Sequence, residues 1–285
     1  MVGMEAGQRH IITGANTRTG NMNTMPPTKK SLGQHWLHDE LSLEAMCYGV
    51  ALTPEDTVLE VGPGPGSLTS LLVEEAKQVI AVEFDSDLAK ELPKRVPATN
   101  LTIVEQDILR FDFTTLPAGY KVVANIPYYL TSNLLRLLCE STNPFSKAAL
   151  LMQKEVTERV CARPGAMSLL SVSVQYYCEA SADLLVPAEL FTPPPKVDSQ
   201  ILLLTHRSTP LFPDVDTKRF FRIVHAGFAQ RRKTLLNSLS SGLHLGREET
   251  VALLDAAGIA PATRAQSLSL EEWYSLYRAM AHAKI

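Results

Sequence analysis

Cysteine is scarce in this sequence and shows no pattern typical of a metal site or a disulfide framework. The four cysteines of the 285-residue chain lie 92, 22 and 17 residues apart, at Cys47, Cys139, Cys161 and Cys178. They form no CxxC pair, and no Cys and His residues cluster at metal-ligand spacing. We therefore expect buried, reduced thiols and no metal site.

The sequence also lacks long apolar runs and a charge excess of one sign. No apolar stretch approaches the roughly 20 residues that cross a bilayer, and the N-terminus has no apolar core of a secretory signal. The 27 Lys and Arg residues nearly balance 30 Asp and Glu residues, so total charge indicates no particular partner. These absences predict a cytoplasmic protein that makes no membrane contact.

Residues 1–28 are rich in Gly, Asn and Thr and have no apolar periodicity. Such a segment cannot bury enough surface to offset the entropy of ordering, so we expect a flexible arm. A weak organellar transit peptide is the alternative, although the lack of Ser and of an amphipathic pattern disfavours it. Met22 or Met25 is an alternative start.

Apolar strand patterns alternate with helical patterns between residues 42 and 206. Strands are predicted at TVLEVG (57–62), QVIAVEF (78–84), LTIVEQD (101–107), KVVAN (121–125), AALLMQ (148–153), around SVSVQYYCEA (171–180) and at SQILLLTH (199–206). Apolar strands joined by helical crossovers are typical of a parallel sheet covered on both faces, so the fold class is α/β.

After His206 only helical patterns remain. They are DTKRFFRIVHAGFAQ, RRKTLLNSL, REETVALLDAAG and SLEEWYSLYRAM. The last begins with Ser269 and Glu272 at capping-box spacing. The predicted domains are thus an arm (1–28), a catalytic α/β domain (29–206) and a small helical domain (207–285).

Three successive strands end in residues that suit a nucleoside. The first ends in LEVGPGPGSLT, where Gly62 and Gly64 let the backbone approach a ligand and the following helix offers free amides. Glu83 ends the second strand, where an acid can accept both ribose hydroxyls, and Asp107 ends the third, where a carboxylate can bind an adenine amino group. The alternative is that Glu83 and Asp107 only cap crossover helices.

The glycine turn fits a single adenosine better than a dinucleotide. Ser67 stands where the last glycine of a G-x-G-x-x-G motif would be, and Pro63 and Pro65 stiffen the turn. S-adenosylmethionine is the leading candidate for the cofactor.

The fourth strand runs into NIPYY, which suits methylation of an exocyclic amine. The Asn125 side chain and the Ile126 carbonyl offer two acceptors for amino protons, and Pro127 fixes the turn. Tyr128 offers a flat face on which a base can stack. Positioning and charge neutralisation then drive transfer without a strong base. A plain turn with incidental tyrosines is the alternative.

Basic residues concentrate between residues 206 and 233, where seven Lys or Arg stand against two Asp. Four of them, Arg222, Arg231, Arg232 and Lys233, are candidates for contact with an RNA backbone. The last three are predicted to begin a helix, where the helix dipole opposes their charge unless an anion binds. A merely solvated basic face is the alternative.

Seven motifs occur in one order: KKSLGQHWL, LEVGPGPGSLT, VEFDSDLA, NIPYYLTSNLL, MQKEVTERV, FTPPPKVDS and FAQRRKTLLNSL. Together they resemble the KsgA (RsmA) family of bacterial small-subunit rRNA adenine dimethyltransferases, relatives of the Erm methyltransferases. The resemblance runs from about Lys29 to the C-terminus. It implies a Rossmann-like class I methyltransferase fold that uses S-adenosylmethionine and has a helical C-terminal domain. The implied reaction gives two adjacent N6-dimethyladenosines in the 3′-terminal hairpin of small-subunit rRNA, made by a monomer on a pre-ribosomal particle.

The resemblance also assigns residues. Gln34, His35 and Leu37 line the cofactor pocket with Gly62, Gly64, Glu83, Asp107 and Asn125, while Phe191 closes the face of the adenine opposite Tyr128. Trp36 stands where the family usually has Phe, and the loop ARPGAMSLLSVSVQYY lacks the Gly and Arg of a longer Tyr-Gly-Arg loop. If that loop touches RNA, one phosphate contact is lost.

Two other functions remain open. The sequences of the motifs FTPPPKVDS and QRRKTLLNSL disfavour an Erm-type enzyme acting on large-subunit rRNA. The second is an rRNA-binding assembly checkpoint factor or a transcription-factor relative that keeps the fold, with methylation secondary or lost. The intact Asn125, Pro127 and Tyr128 argue against lost catalysis without excluding a dual role.

Overall fold

The computed structural model describes residues 25–29, 32–209, 211–230 and 232–283. The predicted arm therefore lies almost wholly outside the described residues. Within them, no helix combines the length and apolarity needed to cross a membrane.

Most strands of the described residues join one seven-stranded sheet in the order β4-β3-β2-β5-β6-β9-β7. Two short strands, β1 and β8, form a separate antiparallel ribbon. In chain order the strands are β1 (Trp36–Leu37), β2 (Thr57–Val61), β3 (Gln78–Glu83), β4 (Leu101–Glu105), β5 (Lys121–Asn125), β6 (Lys147–Gln153), β7 (Cys178–Val186), β8 (Phe191–Thr192) and β9 (Ser199–His206).

The chain order of the strands reverses between β2 and β5. From β2 the chain moves outward through β3 to β4, and then returns to place β5 on the other side of β2, followed by β6. All four neighbouring pairs in this part of the sheet are parallel. Such a reversal opens a crevice at the carboxyl ends of the strands, which is where open α/β sheets bind ligands.

The prediction of an all-parallel sheet is wrong at one edge, because β9 runs antiparallel to both β6 and β7. Only residues 187–198 separate β7 from β9, and they contain β8 rather than a crossover helix. A parallel return usually runs through a crossover helix, which this connection lacks, so the two strands pair antiparallel.

Helices cover both faces of the sheet and continue beyond it. In chain order they are α1 (Glu40–Gly49), α2 (Ser67–Glu75), α3 (Ser86–Arg95), α4 (Thr131–Glu140), α5 (Lys154–Val160), α6 (Leu169–Tyr177), α7 (Thr217–Phe228), α8 (Leu235–Leu243), α9 (Arg247–Ala256) and α10 (Leu270–His282). The predicted strand around 171–180 is therefore helical up to Tyr177. Ser168 caps α6 and exchanges hydrogen bonds with Ser171, which favours the helix, and β7 begins only at Cys178.

Alternate residues of the central strands enter different cores. Val122 packs in a cluster with Leu134 of α4, while its neighbour Val123 packs in another cluster with Met46 of α1 and Leu72 of α2. Burial on both faces explains why the strands are apolar throughout rather than alternating.

A third core lies among the C-terminal helices. Trp273 of α10 is fully buried against Gly227 of α7, where an added Cβ would lie 2.4 Å from the indole ring. This core also includes Val172 and Tyr176 of α6, so the packing crosses the position predicted for the domain boundary. The predicted capping box of α10 is present, since Ser269 and Glu272 each bind the other's main-chain amide.

Candidate functional site

One pocket of about 430 Å³ lies at the carboxyl ends of β2, β3, β4 and β5. It is lined by every residue predicted for the cofactor and for catalysis: Gln34, His35, Leu37, Gly62, Gly64, Glu83, Asp107, Asn125, Ile126, Pro127, Tyr128 and Phe191. The topological reversal between β2 and β5 brings these residues together. Pockets of this size enclose ligands as large as a nucleoside.

The turn after β2 has the conformation that its glycines predict. Gly62, Gly64 and Gly66 have φ values of +66°, +57° and +92°, which side-chain-bearing residues rarely adopt. Nothing lies within 4 Å of a Cβ added to Gly62, whereas one added to Gly64 would lie 2.7 Å from the Trp36 ring. The backbone at Gly62 is therefore open to a ligand, while Gly64 is closed over by Trp36.

Glu83, the last residue of β3, is only 6% exposed. Its Oε2 accepts from the Gly64 amide at 3.1 Å and its Oε1 from the Asp85 amide at 2.8 Å. Burial raises the pKa of this carboxyl, and the two amides oppose the rise. Each oxygen retains a further lone-pair direction, so the group can also accept from hydroxyls of a ligand.

Asp107 follows β4 by two residues and both lines the pocket and caps a helix. Its Oδ1 accepts from the Leu109 amide at 3.0 Å, at the start of the 3-10 helix Ile108–Arg110. Asp107 can therefore cap this helix and also face a ligand in the pocket, so the two interpretations of its sequence position are compatible.

The segment before α1 forms a strap along one side of the pocket. The Lys29 ammonium binds Asp85 at 2.7 Å and Asp87 at 2.8 Å, and the Gln34 amide donates to Asp85 at 3.2 Å. Burial acts to raise the pKa of the Asp85 carboxyl, but these donors outweigh burial and lower that pKa. This strap, residues 26–29 and 32–37, is thus tied to the loop that follows β3.

The strap continues into the β1–β8 ribbon, where Leu37 pairs with Phe191. Both side chains are buried in the core shared with α1 and α2. His35 Nδ1 lies 2.6 Å from the Pro193 carbonyl oxygen, so this nitrogen is the donor. The ribbon therefore joins the strap to the proline-rich loop on the other side of the pocket.

Asn125 ends β5, beside the strap. Its Nδ2 donates to the His35 carbonyl at 3.5 Å, which leaves the side-chain oxygen as an acceptor. The buried Ile126 donates its amide to Leu151 of β6 at 3.0 Å, so the turn is anchored to the sheet. Tyr128 is held by a 2.9 Å hydrogen bond between its hydroxyl and Ser199, and its ring is stacked 6.0 Å from that of His35.

Sequence reasoning missed several residues that line this pocket: Glu60, Phe84, Tyr129 and Asn133. Phe84 and Tyr129 are 61% and 59% exposed, which is unusual for large aromatic side chains. Their positions next to Glu83 and Tyr128 in the sequence could have identified them as pocket residues. Glu60 is also detectable, as an acid inside an otherwise apolar strand.

Glu60 is 1% exposed, and neither of its carboxyl oxygens has a hydrogen-bond partner among the described residues. Burial raises its pKa to about 8; the nearby Thr69 hydroxyl opposes this rise, and the Glu83 charge adds a smaller contribution to it. Glu60 is therefore largely protonated at neutral pH.

The predicted RNA contacts lie in the helical region. Arg222 is exposed on α7, and Arg232 and Lys233 are exposed in the turn between α7 and α8. Arg231 lies outside the described residues. The prediction that a helix begins at this cluster is wrong, because Thr234 is the N-cap and α8 begins at Leu235.

Comparison with known proteins agrees with this architecture. A family model described as "Ribosomal RNA adenine dimethylase" matches residues 26–282. A protein from Dehalococcoides mccartyi named "Ribosomal RNA small subunit methyltransferase A" is 42% identical over 256 residues, covering 87% of each chain.

Two solved structures share the fold. A dimethyladenosine transferase from Plasmodium falciparum has a TM-score of 0.75 at 26% identity, over 87% of this chain and 98% of that one. The 23S rRNA methyltransferase ErmE has a TM-score of 0.71 at 29% identity, over 86% of this chain and 99% of that one. The sheet is thus the Rossmann-like methyltransferase type with a helical C-terminal region. With the family model spanning nearly the whole chain, the protein belongs to the ribosomal RNA adenine dimethylase family.

Proposed function

We propose that this protein transfers methyl groups from S-adenosylmethionine to N6 of two adjacent adenosines in the 3′-terminal hairpin of small-subunit rRNA. One observation carries the proposal: Glu83, Asp107 and the Asn125–Tyr128 turn line a single pocket at the topological reversal of a methyltransferase sheet. The names of the bacterial relatives support the small subunit as substrate.

The pocket fits an adenosine-containing cofactor. Glu83 keeps acceptor capacity for ribose hydroxyls, Asp107 lies on the same wall, and the open backbone at Gly62 leaves room for the amino-acid portion. Gln34, His35 and Leu37 would close the pocket from the strap. When bound, S-adenosylmethionine supplies an electrophilic methyl group.

The Asn125–Tyr128 turn would position the target amine. An exocyclic amine of adenine is a poor nucleophile because its lone pair is delocalised into the ring. The Asn125 side-chain oxygen and the Ile126 carbonyl would hold its protons, so that the lone pair turns toward the methyl donor. Tyr128 would support one face of the base and Phe191 the other. Such positioning lowers the barrier without a strong base.

The RNA backbone would lie on the helical region. Arg222, Arg232 and Lys233 are exposed there, and Arg231 directly precedes Arg232 in the sequence. Phosphate contacts of this kind fix the register of the RNA without reading its sequence. We propose that the natural substrate is a pre-ribosomal small-subunit particle, met by a monomer in the cytoplasm.

The test is incorporation of labelled methyl groups from S-adenosylmethionine into small-subunit particles that lack the modification, followed by mapping of modified nucleosides. Dimethyladenosine at two neighbouring positions of the 3′-terminal hairpin is the expected product. Tight particle binding without incorporation would instead favour an assembly factor. Incorporation into large-subunit rRNA alone would favour the Erm-type alternative.

A further inference from the structure

Two adjacent tyrosines, Tyr128 and Tyr129, lie against different parts of the pocket. The Tyr128 hydroxyl is hydrogen-bonded to Ser199, and its ring is stacked on that of His35. The Tyr129 ring lies instead against the backbone of the strap, since its Cδ1 is 3.7 Å from the position of a Cβ added to Gly33. The two rings are therefore available to different ligand groups.

The carboxyls expected to bind an adenosine act on Tyr129. Partial burial raises the pKa of its hydroxyl, and the charges of Asp107 and Glu83 add to the rise. Asp107 is the residue proposed to bind the adenine amino group, and Glu83 is the one proposed to bind the ribose. The Tyr129 side chain therefore lies on the side of the pocket that would hold the nucleoside.

The Tyr129 side chain contributes little to the packing of the protein. It is 59% exposed although it lines the pocket. Among the residues that the structure describes, its hydroxyl takes part in no hydrogen bond. Exposed aromatic rings in the wall of a pocket are typical of ligand contacts. The ring thus has a face and a hydroxyl that a bound molecule can use.

The backbone that carries this ring is fixed on both sides. The Leu130 amide donates to the Pro127 carbonyl at 2.9 Å, which closes the 3-10 turn Tyr128–Leu130. The Thr131 hydroxyl donates to the Tyr128 carbonyl at 3.1 Å, at the start of α4. A ring held on a fixed backbone loses little conformational freedom when a ligand binds, which favours affinity.

We propose that Tyr129 covers the nucleoside part of the cofactor and closes the pocket against Gly33 of the strap. The proposal deepens the proposed function and rests on it. Tyr129 is thereby a determinant of cofactor affinity, whereas Tyr128 supports the target base. S-adenosylmethionine and S-adenosylhomocysteine share the nucleoside, so the ring contributes to the binding of both.

The test compares Tyr129→Ala with the wild type in two measurements. Isothermal titration calorimetry without RNA gives the dissociation constant of S-adenosylhomocysteine. We expect it to rise about tenfold, within the range of roughly 5- to 100-fold for loss of an aromatic contact to a base. Steady-state methyl transfer should show a similar rise in KM for S-adenosylmethionine, while kcat and the KM for RNA change less than about twofold, because only cofactor binding is weakened.

Controls separate the ring from the fold. Tyr129→Phe keeps the ring and should bind S-adenosylhomocysteine about as well as the wild type. Tyr48→Ala removes a tyrosine that is 89% exposed on α1 and does not line the pocket, so it should leave binding unchanged. Thermal unfolding of cofactor-free Tyr129→Ala should match the wild type, because the lost side chain is mostly in solvent.

The outcomes distinguish this role from the function on which it rests. If the wild type methylates the rRNA and Tyr129→Ala keeps its affinity for S-adenosylhomocysteine, the role of Tyr129 is wrong and the function stands. A rise in the KM for RNA alone would place the ring on the substrate and would also overturn the proposal. If the wild type neither binds S-adenosylhomocysteine nor methylates rRNA, both are wrong.

Discussion

Two buried glutamates on adjacent strands show how local partners decide the state of a carboxyl group. Glu83 accepts two main-chain amides, whereas Glu60 has no hydrogen-bond partner among the described residues. Burial raises both pKa values, to about 8 for Glu60. An unpaired carboxylate inside a protein is costly, so burial favours the neutral form of Glu60.

Glu60 predicts a pH dependence of stability. Its pKa of about 8 in the fold exceeds the value of about 4.3 in an unfolded chain. The neutral group is therefore fully stabilising below the unfolded pKa, and stability falls as pH rises toward the folded value. Replacing a buried group that cannot be satisfied changes stability by about 1–3 kcal/mol.

We expect Glu60→Gln to raise the unfolding temperature of the cofactor-free protein near pH 8 and to have much less effect near pH 5. Thermal unfolding across this range measures the difference. Glu91→Gln, which removes an exposed carboxylate on α3, serves as the control. A gain for Glu60→Gln that stays constant or shrinks as pH rises would contradict the assignment.

Asn125→Ala removes one acceptor of the proposed amine site. We expect a loss of about 100-fold or more in turnover, similar to removing one preorganised polar contact in other active sites. RNA affinity should stay the same, because Asn125 lies in the pocket and away from the basic surface. Asn237→Ala, an exposed change on α8, is the matched control. Single-turnover methyl transfer gives the rate, and near-normal turnover of Asn125→Ala would refute the role.

Single elements were predictable from the sequence where local chemistry and apolar pattern agree. The five parallel strands, the positive φ values of the glycine turn and the capping box of α10 all follow from such local signals. Elements that depend on distant partners could not be predicted from the sequence. The β1–β8 ribbon has two residues in each strand, too few for any periodicity, and the direction of β9 depends on how it pairs.

The same distinction between local pattern and tertiary context applies to the residues of the pocket. Glycines and acids at strand ends were found because parallel strands end at one edge. Glu60 was missed although an acid inside an apolar strand is visible in the sequence, and Phe84 was missed because a pattern of residue types does not give its exposure. The start of α8 was missed because Thr234 is a weaker signal than the run of helix-forming residues around it.

The Gly64→Ala variant tests how closely the glycine turn packs against Trp36 of the strap. Both Gly64 and Gly119 have positive φ, so an alanine at either costs about 1–2 kcal/mol in backbone strain. Only at Gly64 would the new Cβ meet another group, the Trp36 ring at 2.7 Å, while Gly119 has nothing within 4 Å. The clash should add about 1–3 kcal/mol of destabilisation.

Chemical denaturation of Gly64→Ala and Gly119→Ala measures this difference directly. We also expect weaker binding of S-adenosylhomocysteine by Gly64→Ala alone, since Trp36 belongs to the strap beside the pocket. Equal losses of stability in the two variants would mean that the strap yields freely to the added methyl group.

At the scale of the whole molecule, α6 joins the two halves. Val174 packs in the core of the sheet, while Tyr176 packs in the core of the C-terminal helices. The Tyr176 ring lies stacked 5.1 Å from that of Phe220 on α7. A helix that contributes to two cores makes their stabilities depend on each other.

Tyr176→Ala should therefore destabilise the protein by about 3–5 kcal/mol, as truncation of a buried aromatic does. Because the cores share α6, near-ultraviolet circular dichroism and far-ultraviolet circular dichroism should report one coincident transition for the wild type. Tyr176→Phe, which keeps the ring, is the control and should lose far less. Two separate transitions in the wild type would show that the halves unfold independently.

The β1–β8 ribbon has a consequence for the order of turnover. Trp36 and Leu37, in the strap, pair with Thr192 and Phe191, in the segment proposed to hold the target base. If the strap moves to release the spent cofactor, this pairing would carry the movement to the segment that would hold the adenine. Successive methylations of one adenine would then be distributive, with monomethyladenosine released and rebound between them.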